Sequence, residues 1–261
     1  MKTKRRVDIT QARTKPVRLD GGVKGHAVYW LGHDEPSAFR TNAYLIVDGD
    51  QALLVDPGNH AYFAEARERV AQVVDPASVS GMILCHQDPD VAASMPDWLA
   101  VNPRMRVFTS PRTQVLLPYY GYPDYAYADV EDEPTLVLPS GGELYFIPAP
   151  FLHFPGAFAT FDTASGFLFS GDVFASLDVG SWLWAEDFDA LADKMHLFHA
   201  EYMASNIATR GFVNRLAALD LDIRAILPQH GSLIGKEHVP QALQWLADLR
   251  CGTDLLYPEL V

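Results

Sequence analysis

Residues 85–91 read "CHQDPDV", directly after the apolar run "GMIL" of residues 81–84. His86, Asp88 and Asp90 stand at alternate positions. Carboxylates this close repel unless a cation lies between them or the backbone aims them apart. The apolar run reads as a buried strand, so the motif emerges at a strand's C-terminal end. Three later segments share that grammar: "PAPFLHFPG", "FLFSGDVF" and "AILPQHG" contribute His153, Asp172 and His230. Strand ends at one edge of a sheet sandwich converge, so the six side chains are expected around one pocket. Any one of them alone is a turn residue or a satisfied hydrogen-bonder. Asp88 by itself reads as a helix cap, with Asp90 in a first turn where negative charge is favoured. That reading explains neither His86 nor the three later residues.

Around this motif the chain alternates short strands with helices. "AVYWLG" (27–32), "NAYLIVDG" (42–49) and "QALLVDPG" (51–58) form a meander, with "DGD" as a tight turn. "AYFAEARERVAQVV" (61–74) has helical spacing, and "VSGMILCH" (79–86) is a strand. "PDWLAVNP" and "TQVLLPYYG" are short helices flanking the strand "RVFTS". A loop rich in Tyr, Asp and Pro (118–134) separates this half from a second one. There "TLVLPSGGELYFIPAP" and "AFATFDTASGFLFSGD" are strand pairs. A long helical region from about Asp187 to Ala218, the strand "IRAILPQHG" and the helix "HVPQALQWLADLR" follow. Strand pairs plus helices occur twice, which predicts an α+β fold with a sheet sandwich between helix layers. No linker rich in Gly, Ser or Pro divides the chain, so residues 1–261 read as one domain, with 1–20 an N-terminal extension.

About half of the 261 residues are hydrophobic, enough for a sizeable core. The formal charge of -13 argues against nucleic acid and anionic lipid as partners. Cys85 and Cys251 make no disulfide framework and suit a reducing compartment. "MKTKRR" is followed by polar sequence, not an apolar segment, and no stretch is long and apolar enough to span a bilayer. The expectation is a cytoplasmic protein.

The ordered set His-x-Asp-x-Asp, His, Asp, His resembles the metallo-β-lactamase superfamily, whose usual signature is His-x-His-x-Asp-His followed by His, Asp and His on later strands. "LLVDPG" (53–58) resembles that superfamily's early strand and Asp turn. A carboxylate in place of the second histidine is closer to the flavodiiron branch, with its His-x-Glu-x-Asp. The variant His86-Gln87-Asp88-Pro89-Asp90 resembles the stand-alone oxygen-binding diiron proteins of that branch. "LFSGDVFAS" and "HLFHAEYMASNI" are similar to its bridging-aspartate segment and following helix. The resemblance covers about residues 27–250 and implies a metallo-β-lactamase-like αββα sandwich.

It also implies a ligand set. His86, Asp88 and His153 would hold one metal, Asp90 and His230 the other, and Asp172 would bridge. Mixed carboxylate and imidazole ligands with open positions suit non-haem iron better than the three imidazoles typical of a zinc hydrolase. Val91 stands where the superfamily has a further histidine, which predicts an open position for a small ligand at the second metal. The superfamily counterpart of Asp56 supports the ligands from behind. Phe174, Trp182, Trp184 and Tyr202 are candidate pocket walls or, equally, core. Cys85 is expected to point away from the site by strand alternation. His196 and His199 are expected to be surface or core residues, and His26, His33, His60 and His238 surface ones.

The resemblance implies two iron ions, oxo- or hydroxo-bridged, with zinc or manganese as alternatives and no FMN, since nothing here resembles the branch's flavodoxin domain. The expected function is O2 binding at a di-metal centre, as a sensor or carrier, with NO as alternative ligand. A signalling or redox protein partner and a homodimer are expected, and no nucleic acid or membrane. The rivals are a metal-dependent hydrolase of thioesters, lactones or phosphodiesters, and an O2/NO reductase fed by a separate donor. The "YYGYPDYAYADVEDEP" loop (119–134) is either a lid or a mobile surface loop.

Overall fold

The computed structural model describes residues 15–19, 21–32, 39–121, 124–177 and 183–260. The first half runs β1 (Val17–Leu19), β2 (His26–Trp30), β3 (Tyr44–Asp48), β4 (Gln51–Val55), α1 (Phe63–Ala71), β5 (Gly81–Ile83), α2 (Pro89–Ala92), α3 (Met95–Val101), β6 (Arg106–Thr109), α4 (Pro111–Gln114) and β7 (Ala126–Asp129). The second half runs β8 (Thr135–Val137), β9 (Glu143–Pro148), β10 (Phe158–Asp162), β11 (Phe167–Gly171), α5 (Phe188–Tyr202), α6 (Asn206–Ala218), β12 (Ala225–Pro228), β13 (Ile234–Gly235), α7 (Val239–Asp248) and α8 (Thr253–Leu256).

Period-2 alternation in the strands sets the layers. Tyr44, Ile46, Leu53 and Val55 face Phe167, Phe169 and Leu227 between the two sheets. Their neighbours Leu45, Ala52 and Leu54 turn outward onto Ala66 and Val70 of α1 and Trp98 and Leu99 of α3. On the other side, Leu168 and Ile226 meet Leu191 and Met195 of α5, Phe212 and Leu216 of α6, and Leu246 of α7. Each large side chain closed off from water here contributes roughly 1.5–3 kcal/mol. The expected αββα sandwich is what forms.

The first sheet keeps chain order, β1 to β7; the second has the order β13-β12-β11-β10-β9-β8. Hairpins join the antiparallel strands β1 to β4, with Gly49 at φ 56° in the turn between Asp48 and Gln51. From β4 to β7 the strands are parallel, because each connection crosses over through helix. β11 and β12 are parallel for the same reason, with α5 and α6 between them. The carboxyl ends of β4, β5, β11 and β12 therefore collect at one edge of the sandwich, where ligand sites of α/β sheets form.

Four details differ from the sequence reading. Val17–Leu19, within the expected extension, pairs with β2. The tyrosine-rich 118–134 segment is not all loop, since Ala126–Asp129 extends the first sheet. The long helical region breaks at Met203–Ser205, where Met203 and Ser205 turn extended. His26 is buried, not on the surface. Its Nδ1 lies 2.8 Å from Asp48 Oδ2 and its Nε2 2.8 Å from Asp162 Oδ2, tying the sheets together at the end opposite the strand-end aspartates and histidines. Ser140 donates to Asp48 and Ser165 to Asp162, so the cluster is internally satisfied. Among the described residues, no helix is long and apolar enough to cross a membrane.

Burial alone would lower the His26 pKa, but Asp162 and Asp48 outweigh it and hold it above 6.5. Burial would raise Asp48, but hydrogen bonds from Ser140 and His26 hold it below 3.8. Folding thus favours protonated His26, a contribution complete below pH 6.5 and lost as pH rises through the raised value. The Asp48 contribution is present above pH 3.8 and lost as pH falls through the lowered value. Urea midpoints are expected to peak between those limits and to fall on the alkaline side, and His26→Asn to flatten that fall. A wild-type midpoint unchanged from about pH 6 to about pH 9 would contradict the clamp.

Candidate metal centre

The edge is assembled by tight turns after short strands. β5 stops at Ile83, and the chain then delivers His86, Gln87 and Asp88 before Pro89 opens α2. Asp88 occupies the cap position of α2 but makes no capping hydrogen bond. Its Oδ1 accepts instead from Gln87 Nε2 at 2.7 Å, leaving Oδ2 aimed at the imidazoles. Gln87 is held in turn by its carbonyl, which accepts from Tyr120 Oη at 2.7 Å. The tyrosine-rich segment thus begins by buttressing this turn. Asp172 follows β11 through Gly171, at φ 57°, where an added Cβ would come within 2.9 Å of Cys85 Sγ. His153 comes from the loop between β9 and β10, and His230 from the end of β12.

All six expected side chains meet. Asp88 Oδ2 lies 3.2 Å from His153 Nε2 and 3.6 Å from His86 Nε2. Asp172 Oδ2 lies 3.1 Å from His153 Nε2 and 3.3 Å from His86 Nε2. Its other oxygen, Oδ1, lies 3.5 Å from His230 Nε2, which is 3.0 Å from Asp90 Oδ2. Asp172 therefore offers one oxygen to each of two groups, and Pro89 separates Asp88 in one from Asp90 in the other.

The donor set fits cations. His86, Asp88 and His153 place ligand atoms within 4.8 Å of one another, close enough for one metal ion. Among the described residues, His86 Nε2 and Asp172 Oδ1 are buried without a hydrogen-bond partner, and buried polar atoms are rarely left so. His230 gives an independent argument. Its Nδ1 is 3.3 Å from the Arg40 carbonyl oxygen, an acceptor only, so Nδ1 carries the hydrogen. A neutral ring then presents a lone pair to Asp90 Oδ2, acceptor to acceptor, unless a cation stands between them. Without metal, protons do that work. Burial would lower His153, but Asp172 and Asp88 push it up to about 9. Burial would raise Asp172 and Asp88, yet the imidazoles hold both well below the usual carboxylate range.

Aromatic rings flank the edge. Tyr202 lies 5.8 Å from the His153 ring and stacks on Phe198 at 4.6 Å. Phe39 lies 5.8 Å from the His230 ring and 6.1 Å from Phe198. Tyr202 was an expected wall; Phe39 and Phe198 were not. Phe198 and Tyr202 are four apart on α5, a spacing that could have paired them, whereas Phe39 arrives from a distant turn. Trp184 instead bridges to Leu233 and packs between the sheets, and Phe174 is buried core. Trp182 lies outside the described residues, as does His33. A cavity of about 740 Å³ lies on the outer side of the His153 loop, lined by Arg112, Phe146, Phe151 and Phe158 among others, and contains none of the six.

Cys85 corrects an expectation. β5 ends two residues earlier, so alternation no longer governs it, and its Sγ lies 3.1 Å from His86 Nδ1. Asp56, at φ 48°, accepts from the Cys85 backbone N–H at 2.9 Å, and burial pushes its carboxyl up to about 6. Val91 is fully buried in the cluster that holds Leu84 and Met95, so it packs the core and offers no ligand beside Asp90. His199 is core: its Nε2 accepts from the Phe174 N–H at 2.9 Å, bracing the turn after Asp172. His196 and His60 are exposed, and His238 is half-buried against Phe188.

Two stacked sheets with a His/Asp cluster at one edge define a metallo-β-lactamase-like domain. Within that class, residues 39–231 match the model of the ODP family beta lactamase, and the chain belongs to that family. A solved structure of the apo state of chemotaxis sensor ODP from T. denticola is 30% identical, with a TM-score of 0.82, covering 94% of this chain and 98% of that one. A structure described as a peroxy diiron species of chemotaxis sensor ODP matches with the same identity and TM-score, covering 94% of this chain and all of that one. Among curated relatives, the nitric oxide reductase of Moorella thermoacetica is 26% identical over 242 residues, 86% of this chain and 59% of that protein. The chain therefore spans less than two thirds of that relative's length.

Proposed function

We propose that this chain is a non-haem diiron protein that binds O2 and acts as an oxygen sensor or carrier. The observation that carries this reading is the split of Asp172, one oxygen facing His86 and His153 and the other facing His230. His86, Asp88 and His153 would hold one iron, Asp90 and His230 the second, with Asp172 shared. Bound there, iron would supply one-electron chemistry toward O2 or NO that zinc lacks. Three carboxylates against two divalent cations leave a small net charge, which favours oxidation to the trivalent state. Asp88 is oriented by Gln87, His230 by the Arg40 carbonyl, and Phe39, Phe198 and Tyr202 flank the imidazoles.

The sensor relatives support O2 as ligand, and a signalling protein as the partner that reads the occupied state. A cytoplasmic location, a homodimer and an oxo or hydroxo bridge belong to the same reading. The nitric oxide reductase relative favours a second reading, an O2/NO reductase fed by a separate redox protein. A hydrolase is disfavoured by the carboxylate at Asp88.

An oxygen electrode separates the readings. Fe(II)-loaded protein is expected to take up about one O2 per chain and stop, with or without a chemical reductant. Continuous consumption with reductant would make it a reductase. Ester or thioester turnover scaling with added zinc would make it a hydrolase.

A further inference from the structure

His86 is one of three imidazoles at the edge, but its outer nitrogen meets a thiol. Cys85 Sγ lies 3.1 Å from His86 Nδ1, and the Asp56 carboxylate accepts the Cys85 backbone N–H at 2.9 Å. All three residues are at most 4% exposed, so no solvent competes for these groups. Sulfur is confined from the other side too, because the Gly171 backbone packs so closely that an added Cβ would sit 2.9 Å from it. The opposite nitrogen, His86 Nε2, is buried, has no hydrogen-bond partner among the described residues, and faces Asp172 and Asp88.

Metal-binding histidines commonly donate their outer N–H to a carboxylate, which fixes tautomer and ring orientation. We infer that here the carboxylate acts through an interposed thiol: His86 Nδ1–H donates to Cys85 Sγ, and the thiol hydrogen donates to Asp56. Cys85 is thus a positioning residue for His86, and its sulfur does not ligate metal. Three features require the assignment together. A thiol both accepts and donates weakly, so it can stand between an N–H and a carboxylate. The Nδ1–H tautomer leaves the Nε2 lone pair facing the carboxylates of Asp172 and Asp88, where a cation belongs. Asp56 is buried, and the Cys85 side chain as well as its backbone N–H stabilises the Asp56 carboxylate against that burial.

The inference rests on His86 being a metal ligand, and zinc probes it without depending on any oxygen chemistry. Full-length protein with 15N-labelled histidine, loaded with zinc, is read by two-bond 1H–15N correlation, and zinc affinity is read by chelator competition. Wild type is expected to show His86 with hydrogen on Nδ1 and metal on Nε2. Cys85→Ala is expected to lose about ten- to hundred-fold in zinc affinity, the usual cost of an outer partner. Cys85→Ser keeps donor and acceptor and is expected to recover most of that loss. Cys85→Ala binding zinc like wild type would overturn the relay. So would Cys85→Ser falling as far as Cys85→Ala with an unchanged melting profile, or wild-type His86 carrying its hydrogen on Nε2. A wild type that binds no zinc would instead overturn the metal reading of the whole cluster, and the relay with it.

Discussion

Asp172→Ala is expected to empty both metal positions, whereas Asp88→Ala or Asp90→Ala should each weaken mainly one. The asymmetry follows from geometry. Asp172 Oδ2 faces His86 and His153 while Oδ1 faces His230, so one truncation removes an oxygen from each group. Loss of an outer partner already costs about ten- to hundred-fold in metal affinity, so loss of a shared direct ligand should reach at least the upper end at both positions. The same change leaves three imidazoles facing one another with less negative charge between them, and any cation brought there meets that deficit. Asp172→Asn should be nearly as damaging, because an amide offers one acceptor oxygen and turns N–H donors toward the other group. Metal content after dialysis against a weak chelator measures this. Retention of one full equivalent in Asp172→Ala would show that the carboxylate is not shared.

Asp88→His is expected to turn the site toward zinc and to weaken its response to O2. Asp88 Oδ2 is the carboxylate between His86 and His153, held there by Gln87. An imidazole in its place makes a set of three histidines, the borderline-soft donors that suit Zn²⁺. It also removes one negative charge, so the trivalent iron state loses stabilisation relative to the divalent one. Grown with equal iron and zinc, the variant should carry predominantly zinc, and its O2 affinity after iron loading should fall at least about ten-fold, equivalent to 1.4 kcal/mol. Undiminished iron content and O2 binding would remove the significance assigned to a carboxylate at this position.

The strand-end grammar is readable because apolar runs are each followed by a ligand type, and the parallel pairs β4–β5 and β11–β12 put those carboxyl ends at one edge. The inward and outward alternation of Tyr44-Leu45-Ile46 and Leu53-Leu54-Val55 likewise announced two helix-covered sheets. What stayed hidden depends on contacts distant in sequence. His26 sits 136 residues from Asp162, and nothing local marks that pair. Phe39 reaches His230 across 191 positions of chain, so no periodicity could place it. Cys85 was misjudged for a nearer reason: alternation was extended past the end of β5, into a turn that obeys no period. β7 is hidden because its four residues take their pairing from the partner strand β6 and lie within a segment rich in turn formers. Val91 packs into the core beside Asp90 and brings no ligand atom, as its apolar side chain indicates.

The most direct test of the diiron reading combines metal analysis with oxygen titration on one sample. Protein is purified without added metal, assayed for iron and zinc, reduced anaerobically and exposed to measured O2 while absorbance is followed. The account predicts close to two irons per chain and a visible absorption change that saturates with stoichiometric O2. A sample holding only zinc, or one holding iron whose spectrum does not respond to O2, would contradict it.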